Sequence, residues 1–253
     1  MLALVDYASS SSSEGEECTR PAALKRPALL PTAVSLLGAK APKSSVDDAE
    51  DCKENPELHG GRIRSFKHER GNWATYVYVP TTACMDQLEE FQSEAIEKMS
   101  QLIKLQANEG LHLSLSKTVV LQHHQIDEYS RSLQQALHSK VGFSSTLRWL
   151  QVYTNEERTR TFLAVELDAA YRGKMTELLQ PIDLVMREYR LAQFYAPPSF
   201  HISLLWCVGD QEQLLLDKLD ELQQILDAHD TLKLDVNEVR CKCGNKQFRY
   251  KLR

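Results

Sequence analysis

Two histidines carry the chemistry most visible in this chain. His112 and Ser114 lie in LHLSLS, residues 111–116, and His201 and Ser203 lie in FHISLLW, residues 200–206. Both runs alternate apolar and polar positions, the pattern of a half-buried strand. Residues two apart in a strand share a face. Each strand therefore presents an imidazole and a hydroxyl together, while Leu111, Leu113 and Leu115, or Ile202 and Leu204, turn into the core. The bare spacing is a weak signal, since His229 and Thr231 repeat it. His229, however, follows a helical stretch and has no alternating strand around it.

Such a set suits phosphodiester cleavage in RNA. Attack by the neighbouring 2′-hydroxyl needs a base to take its proton and an acid to protonate the departing 5′-oxygen. Imidazole serves either role, because its ordinary pKa is about 6.5. Hydroxyls such as those of Ser114 and Ser203 would hydrogen-bond the non-bridging phosphate oxygens. This chemistry requires no metal, and the sequence has no ligand cluster that would hold one. The sequence leaves open which histidine is acid and which is base. It also leaves open that both are structural histidines on a polar strand face.

The elements that must position these strands repeat. Trp73–Val79 (WATYVYV) has the β-branched and aromatic content of a strand. A helix follows, with Leu88, Phe91, Ile96, Met99 and Ile103 at helical spacing and a capping-box start at Asp86 and Glu89. The first histidine strand comes next, then a helix over 126–138 with Tyr129, Leu133 and Leu137 inward. Strands over 146–153 and 161–167 lead to a helix over 172–189, expected to break or kink at Pro181. The second histidine strand, a helix over 211–228 capped by Asp210, and strands near 231–239 and 247–252 complete the pattern. From Trp73 to His112 is 39 residues and from Thr161 to His201 is 40. The expected fold is therefore α+β: two pseudo-symmetric lobes whose antiparallel sheets line a central cleft, with helices outside.

Residues 1–61 read as a separate disordered tail, with the domain spanning 62–253. The tail carries a serine run from Ser9 to Ser13, five of the nine prolines and one aromatic residue, Tyr7. It cannot bury enough apolar area to offset its ordering entropy. The net charge of −5 sits mostly in this tail, so the rest is not a bulk polyanion binder. One exception is Arg240–Arg253, with six bases and no acid, which suits either an RNA backbone or a solvated face. Cys241 and Cys243 are spaced too tightly for zinc ligands and are expected as free thiols. His123 and His124 are expected to be exposed. No apolar run approaches a membrane span and no secretory signal is visible, which suits the cytosol or nucleus.

The two His-x-Ser strands, the duplicated lobes and the interval between them resemble the 2H (LigT-like) phosphoesterase superfamily. Within it, GNWATYVYVP, LHLSLSKTVVL, RTFLAVEL, FYAPPSFHISLLWCVGD and VRCKCGNKQF are similar to the eukaryotic branch that processes RNA 3′ ends. The resemblance covers residues 62–253. It implies a nuclear 3′-to-5′ exoribonuclease that removes terminal uridines from single-stranded RNA and leaves a 2′,3′-cyclic phosphate; no cofactor is expected, and a monomer is the default expectation. It further implies that Tyr195 stacks on a nucleotide base and that Pro197 and Ser199 line the same pocket. Many superfamily members carry threonine where this chain has Ser114 and Ser203; serine keeps the hydroxyl. Two alternatives remain: a cyclic phosphodiesterase or 2′–5′ RNA ligase-like enzyme on small substrates, and an RNA-binding module without catalysis.

Overall fold

The computed structural model describes residues 71–253. The tail and its boundary at residue 61 lie outside the described residues. The first half of the domain runs β1 (Asn72–Pro80), α1 (Met85–Met99), β2 (Gln106–Ala107), β3 (His112–Ser114), β4 (Val119–Gln122) and α2 (Ile126–Leu137). The second runs β5 (Phe143–Thr154), β6 (Arg160–Leu167), α3 (Arg172–Glu188) and β7 (His201–Val208). The chain ends with α4 (Glu212–Asp217), α5 (Leu219–Asp227), β8 (Lys233–Val236), β9 (Glu238–Cys243) and β10 (Lys246–Lys251).

The strands form one antiparallel array in the order β10-β9-β1-β3-β7-β6-β5-β8, with β2 paired to β7 and β4 to β1. Read outward from the β3–β7 seam, β1, β9 and β10 on one side match β6, β5 and β8 on the other. The units β1–α1–β3 and β6–α3–β7 are the expected duplication. The two lobes are thus halves of a single sheet joined where the histidine strands meet. The helices cross between halves. α1 packs on β7 and α5, whereas α3 packs on α2, which itself contacts β10.

Alternation along the strands divides the sheet into two faces. Val77, Val79, Leu113, Leu163, Val165, Ile202 and Leu204 are fully buried. They join Leu88, Phe91, Tyr129, Leu133, Met175, Ile182 and Leu222 of the helices in one hydrophobic core. The intervening positions, His112, Ser114, Glu166, His201 and Ser203, lie on the opposite face and are partly exposed.

Several expected details are corrected by tertiary contacts. The first helix begins after Cys84 with no side-chain cap, and Asp86 lies inside its first turn. It ends at Met99, so Ile103 falls beyond it. Asp210 Oδ1 accepts from the Glu212 N–H that opens α4 at 3.4 Å while its other oxygen takes Arg158 Nε at 2.6 Å, and the expected single helix is split into α4 and α5 at Lys218. α3 runs through Pro181 unbroken, held by Leu178, Leu179, Ile182 and Val185 buried on both sides of it. The chain ends in three strands rather than two. β3 is short because Ser116 turns its hydroxyl to accept from the Val77 N–H at 2.8 Å. Cys241 and Cys243 are free and buried, their sulfurs 3.6 Å apart on the core face of β9.

Leu113→Ala, at the seam, should cost about 3 kcal/mol in urea unfolding through the cavity it leaves. The same change at the exposed Leu102 should stay within about 0.5 kcal/mol. Equal losses at both positions would contradict the core described here.

Candidate active site

Leu113 of β3 lies opposite Ile202 of β7, both on the core face. One residue to either side, the antiparallel register sets His112 opposite Ser203 and Ser114 opposite His201. All four project from the helix-free face. The histidines occupy one diagonal of this square and the serines the other. Diagonal neighbours across such a pair are about 7–8 Å apart, a gap that admits a phosphoryl group between the imidazoles.

His112 is held by its own strand entry. Its Nδ1 lies 2.8 Å from the Gly110 carbonyl. A carbonyl only accepts, so Nδ1 carries the proton and Nε2 is left with a free lone pair. The Tyr76 ring stacks on the imidazole at 5.2 Å and Tyr78 meets it edge-on at 5.0 Å. Gln247 Nε2 donates to the Tyr78 hydroxyl at 2.6 Å and fixes that ring. Burial lowers the His112 pKa below its ordinary value; the Gly110 bond opposes this and the Lys242 ammonium adds to it.

His201 has a different support. The Tyr153 ring lies nearly parallel to it at 4.1 Å. Its Nδ1 faces Ser199, whose hydroxyl is 3.3 Å away and whose backbone also bonds the ring. Ser199 Oγ is 2.7 Å from the Tyr153 hydroxyl, which donates to Glu166 Oε1 at 2.8 Å. The second Glu166 oxygen meets Arg172 at 3.2 Å. The carboxylate sets the direction of the chain. Tyr153 gives its proton to Glu166, Ser199 gives its proton to Tyr153, and Ser199 Oγ is left to accept from His201 Nδ1–H. Burial pushes the Tyr153 phenol up to about 12, so it remains a donor. Burial also lowers the His201 pKa, but here the nearby Glu166 charge opposes the shift. Glu166 lies directly opposite His201 in the β6–β7 ladder.

Ser114 and Ser203 stand beside the histidines as the alternation predicts. Tyr195 is 53% exposed in the loop before β7, with Lys117 Nζ 4.4 Å from its ring centroid. Lys117 follows β3, so this contact ties the loop to the end of the first histidine strand. Pro197 is exposed in the same loop. Ser199 is engaged by His201 and Tyr153, a contact its expected place in a nucleotide pocket does not account for. His123 and His124 are exposed. His229 lies away from the square, beside Glu90 and Glu94 of α1. Among the described residues, no group of three or more His, Cys, Asp or Glu side chains could hold a metal ion. Sequence reasoning missed Tyr76, Tyr78, Tyr153 and Glu166. The alternation of WATYVYV could have flagged the first two; no local pattern marks the others.

The chain matches the family model described as HVSL, an uncharacterised conserved protein, over residues 29–251. It is 64% identical over 260 residues to U6 snRNA phosphodiesterase 1 of Drosophila melanogaster, covering 100% of both chains. It is 40% identical to U6 snRNA phosphodiesterase 1 of Homo sapiens, covering 82% of this chain and 81% of that one. A solved structure of Kluyveromyces marxianus Usb1 aligns with a TM-score of 0.47 at 16% identity, covering 72% of this chain and 98% of that one.

Replacing Glu166 by Gln removes the negative charge that raises the His201 pKa. An NMR titration of the ring protons should show the His201 pKa falling, with His112 changing little. An unmoved His201 would break the proposed direction of the Glu166–Tyr153–Ser199 chain.

Proposed function

The chain belongs to the U6 snRNA phosphodiesterase family, and we propose that it is a 3′-to-5′ exoribonuclease that trims terminal uridines from U6 snRNA in the nucleus. It acts as a monomer on the single-stranded oligouridine end, without a metal, and leaves a 2′,3′-cyclic phosphate. The observation that carries this reading is the seam square: two imidazoles on one diagonal, two hydroxyls on the other, with unlike partners behind the two rings.

Those partners support a division of labour. His112 is backed by a neutral carbonyl and lies near the Lys242 cation. It is suited to stay neutral and to accept the 2′-hydroxyl proton at Nε2. His201 is backed by a chain ending on the Glu166 carboxylate. That charge favours the imidazolium, so His201 is suited to donate from Nε2. In the reaction the 2′-oxygen forms a bond to phosphorus as the bond to the 5′-oxygen breaks. His112 gains one proton and the leaving 5′-oxygen gains one from His201. Ser114 and Ser203 hold the non-bridging oxygens as charge builds on them. Tyr195 offers an exposed ring on which the terminal uracil stacks, and Pro197 borders the same surface.

Purified protein should shorten an oligouridine-tailed RNA in EDTA to products ending in a cyclic phosphate. His112→Ala and His201→Ala should each reduce the rate by roughly 10²–10⁴-fold. A folded wild-type protein that leaves the RNA intact would refute the exonuclease reading. The pH–rate profile should be bell-shaped, with both limbs belonging to the coupled pair. Glu166→Gln lowers the pKa of the group that must be protonated, so its alkaline limb should move to lower pH. Lys242→Gln removes a cation that lowers the His112 pKa, so its acidic limb should move to higher pH. Movement of the opposite limbs would reverse the acid and base assignments.

A further inference from the structure

The ladder register carries the helix-free face outward from His112 across the first half of the sheet. Ser114 is opposite Tyr78, Tyr78 is opposite Arg240, and Arg240 is opposite Arg249. Two residues along, Tyr76 is opposite Lys242, and Lys242 is opposite Gln247. Lys251 follows Arg249 on the same side of β10. The reverse face of these strands is core, with Val239, Cys241, Cys243 and Tyr250 buried. Aromatic rings thus lie beside the catalytic histidine, and cations lie beyond them. Arg240 is engaged by Glu238. Lys242, Arg249 and Lys251 are exposed and form no ion pair among the described residues; Glu238, which faces Lys251 across the β9–β10 ladder, is held by Arg240. From β3 to β10 is three strand spacings, about 14 Å.

The other half differs. Its strand equivalent to β10 is β8, whose exposed residues are Lys233 and Asp235, and Asp235 accepts from Ser144 at 2.6 Å. Arg148 of β5 is exposed as well, but Asp235 near Lys233 and Glu166 against Arg172 intersperse acids with the cations of this half among the described residues.

The chemistry assigned above gives this asymmetry a direction. In transesterification the nucleotide that keeps the phosphate supplies the attacking 2′-hydroxyl, so it faces the base. The leaving nucleoside faces the acid. An exonuclease working from the 3′ end has one nucleoside on the acid side and the whole remaining chain on the base side. Resting on the exonuclease reading, we infer that the RNA 5′ of the scissile phosphate runs from His112 across β1 and β9 to β10. Its first base lies against Tyr76, the half-buried ring beside His112, with the buried Tyr78 packed behind it, and its phosphates follow Lys242, Arg249 and Lys251. The terminal nucleoside alone occupies the His201 and Tyr195 side. Stacking rings followed by cations along a backbone path are the usual means of holding single strands without reading their sequence. The charge distribution and the histidine environments point the same way; Lys242 enters both, whereas the Glu166 chain behind His201 and the Arg249 and Lys251 side chains are separate observations.

The test compares two substrates that differ only on the 5′ side, the dinucleotide UpU and hexauridine, with wild type and the Arg249→Gln/Lys251→Gln double variant. Wild type should cleave hexauridine with the higher kcat/KM, and the variant should lose most of that preference. Two lost phosphate contacts should also flatten the salt dependence of hexauridine cleavage. Its decline between 50 and 200 mM salt should shrink by about sevenfold in the variant. Cleavage of UpU by the variant shows that it is folded. A variant that keeps the full preference and salt slope, or a wild type that gains nothing from the 5′ extension, overturns the inference. So does a variant that loses both substrates in equal proportion. Failure of the wild type on both substrates overturns the exonuclease reading instead.

Discussion

The pairing of β3 with β7 is the constraint on which the rest of this protein depends. Leu113 and Ile202 meet across it, fully buried, and their burial makes a slip of register costly. A one-residue slip would turn each histidine into the core and a leucine or isoleucine into the cleft. Burial of two aliphatic side chains therefore fixes the placement of two imidazoles and two hydroxyls. The same seam joins the halves of the sheet, so the core that stabilises the domain and the face that carries its chemistry share one pair of strands. The crossed helices reinforce this arrangement, because α1 leaves the first half and packs on β7 of the second.

The two histidines occupy equivalent positions in a duplicated plan, yet their surroundings differ. Each Nδ1 is held by the residue two before it, Gly110 or Ser199, and each ring packs on tyrosine. The difference lies one layer further out. Behind His112 is an uncharged carbonyl and, nearby, a lysine. Behind His201 a chain of hydroxyls ends on a carboxylate. In a partly desolvated site such charges act at short range with little screening. Duplication thus supplies two similar groups, and their outer partners give them unlike electrostatic surroundings, the basis of the proposed division of labour.

That inequality extends over the sheet surface. Strands from the C-terminus of the chain, β9 and β10, complete the first half and bring a cationic row to the His112 side. The second half is completed by β5 and β8, where exposed Asp235 accompanies the cations Arg148 and Lys233. The candidate site is nearly symmetric at the histidine–serine square and asymmetric in charge beyond it, as the proposed directional substrate would require.

Much of this was legible in the order of residues. Period-two alternation around His112 and His201 was sufficient to put each histidine and its serine on one face, because strand geometry allows no other arrangement. The interval of 39 and 40 residues revealed the duplication, and helical spacing located α2 and α3. The failures were local ends decided by distant contacts. The expected helix after Asp210 split at Lys218, and Ser116 left its strand to meet Val77. Tyr153 and Glu166 could not be assigned to the site from sequence. They reach His201 from β5 and β6, and no spacing along the chain encodes a hydrogen-bond chain that closes only when three strands lie side by side. The kinds of group and the face they occupy are properties of local backbone geometry. Their pairing, protonation and direction of action depend on which strands the hydrophobic core brings together.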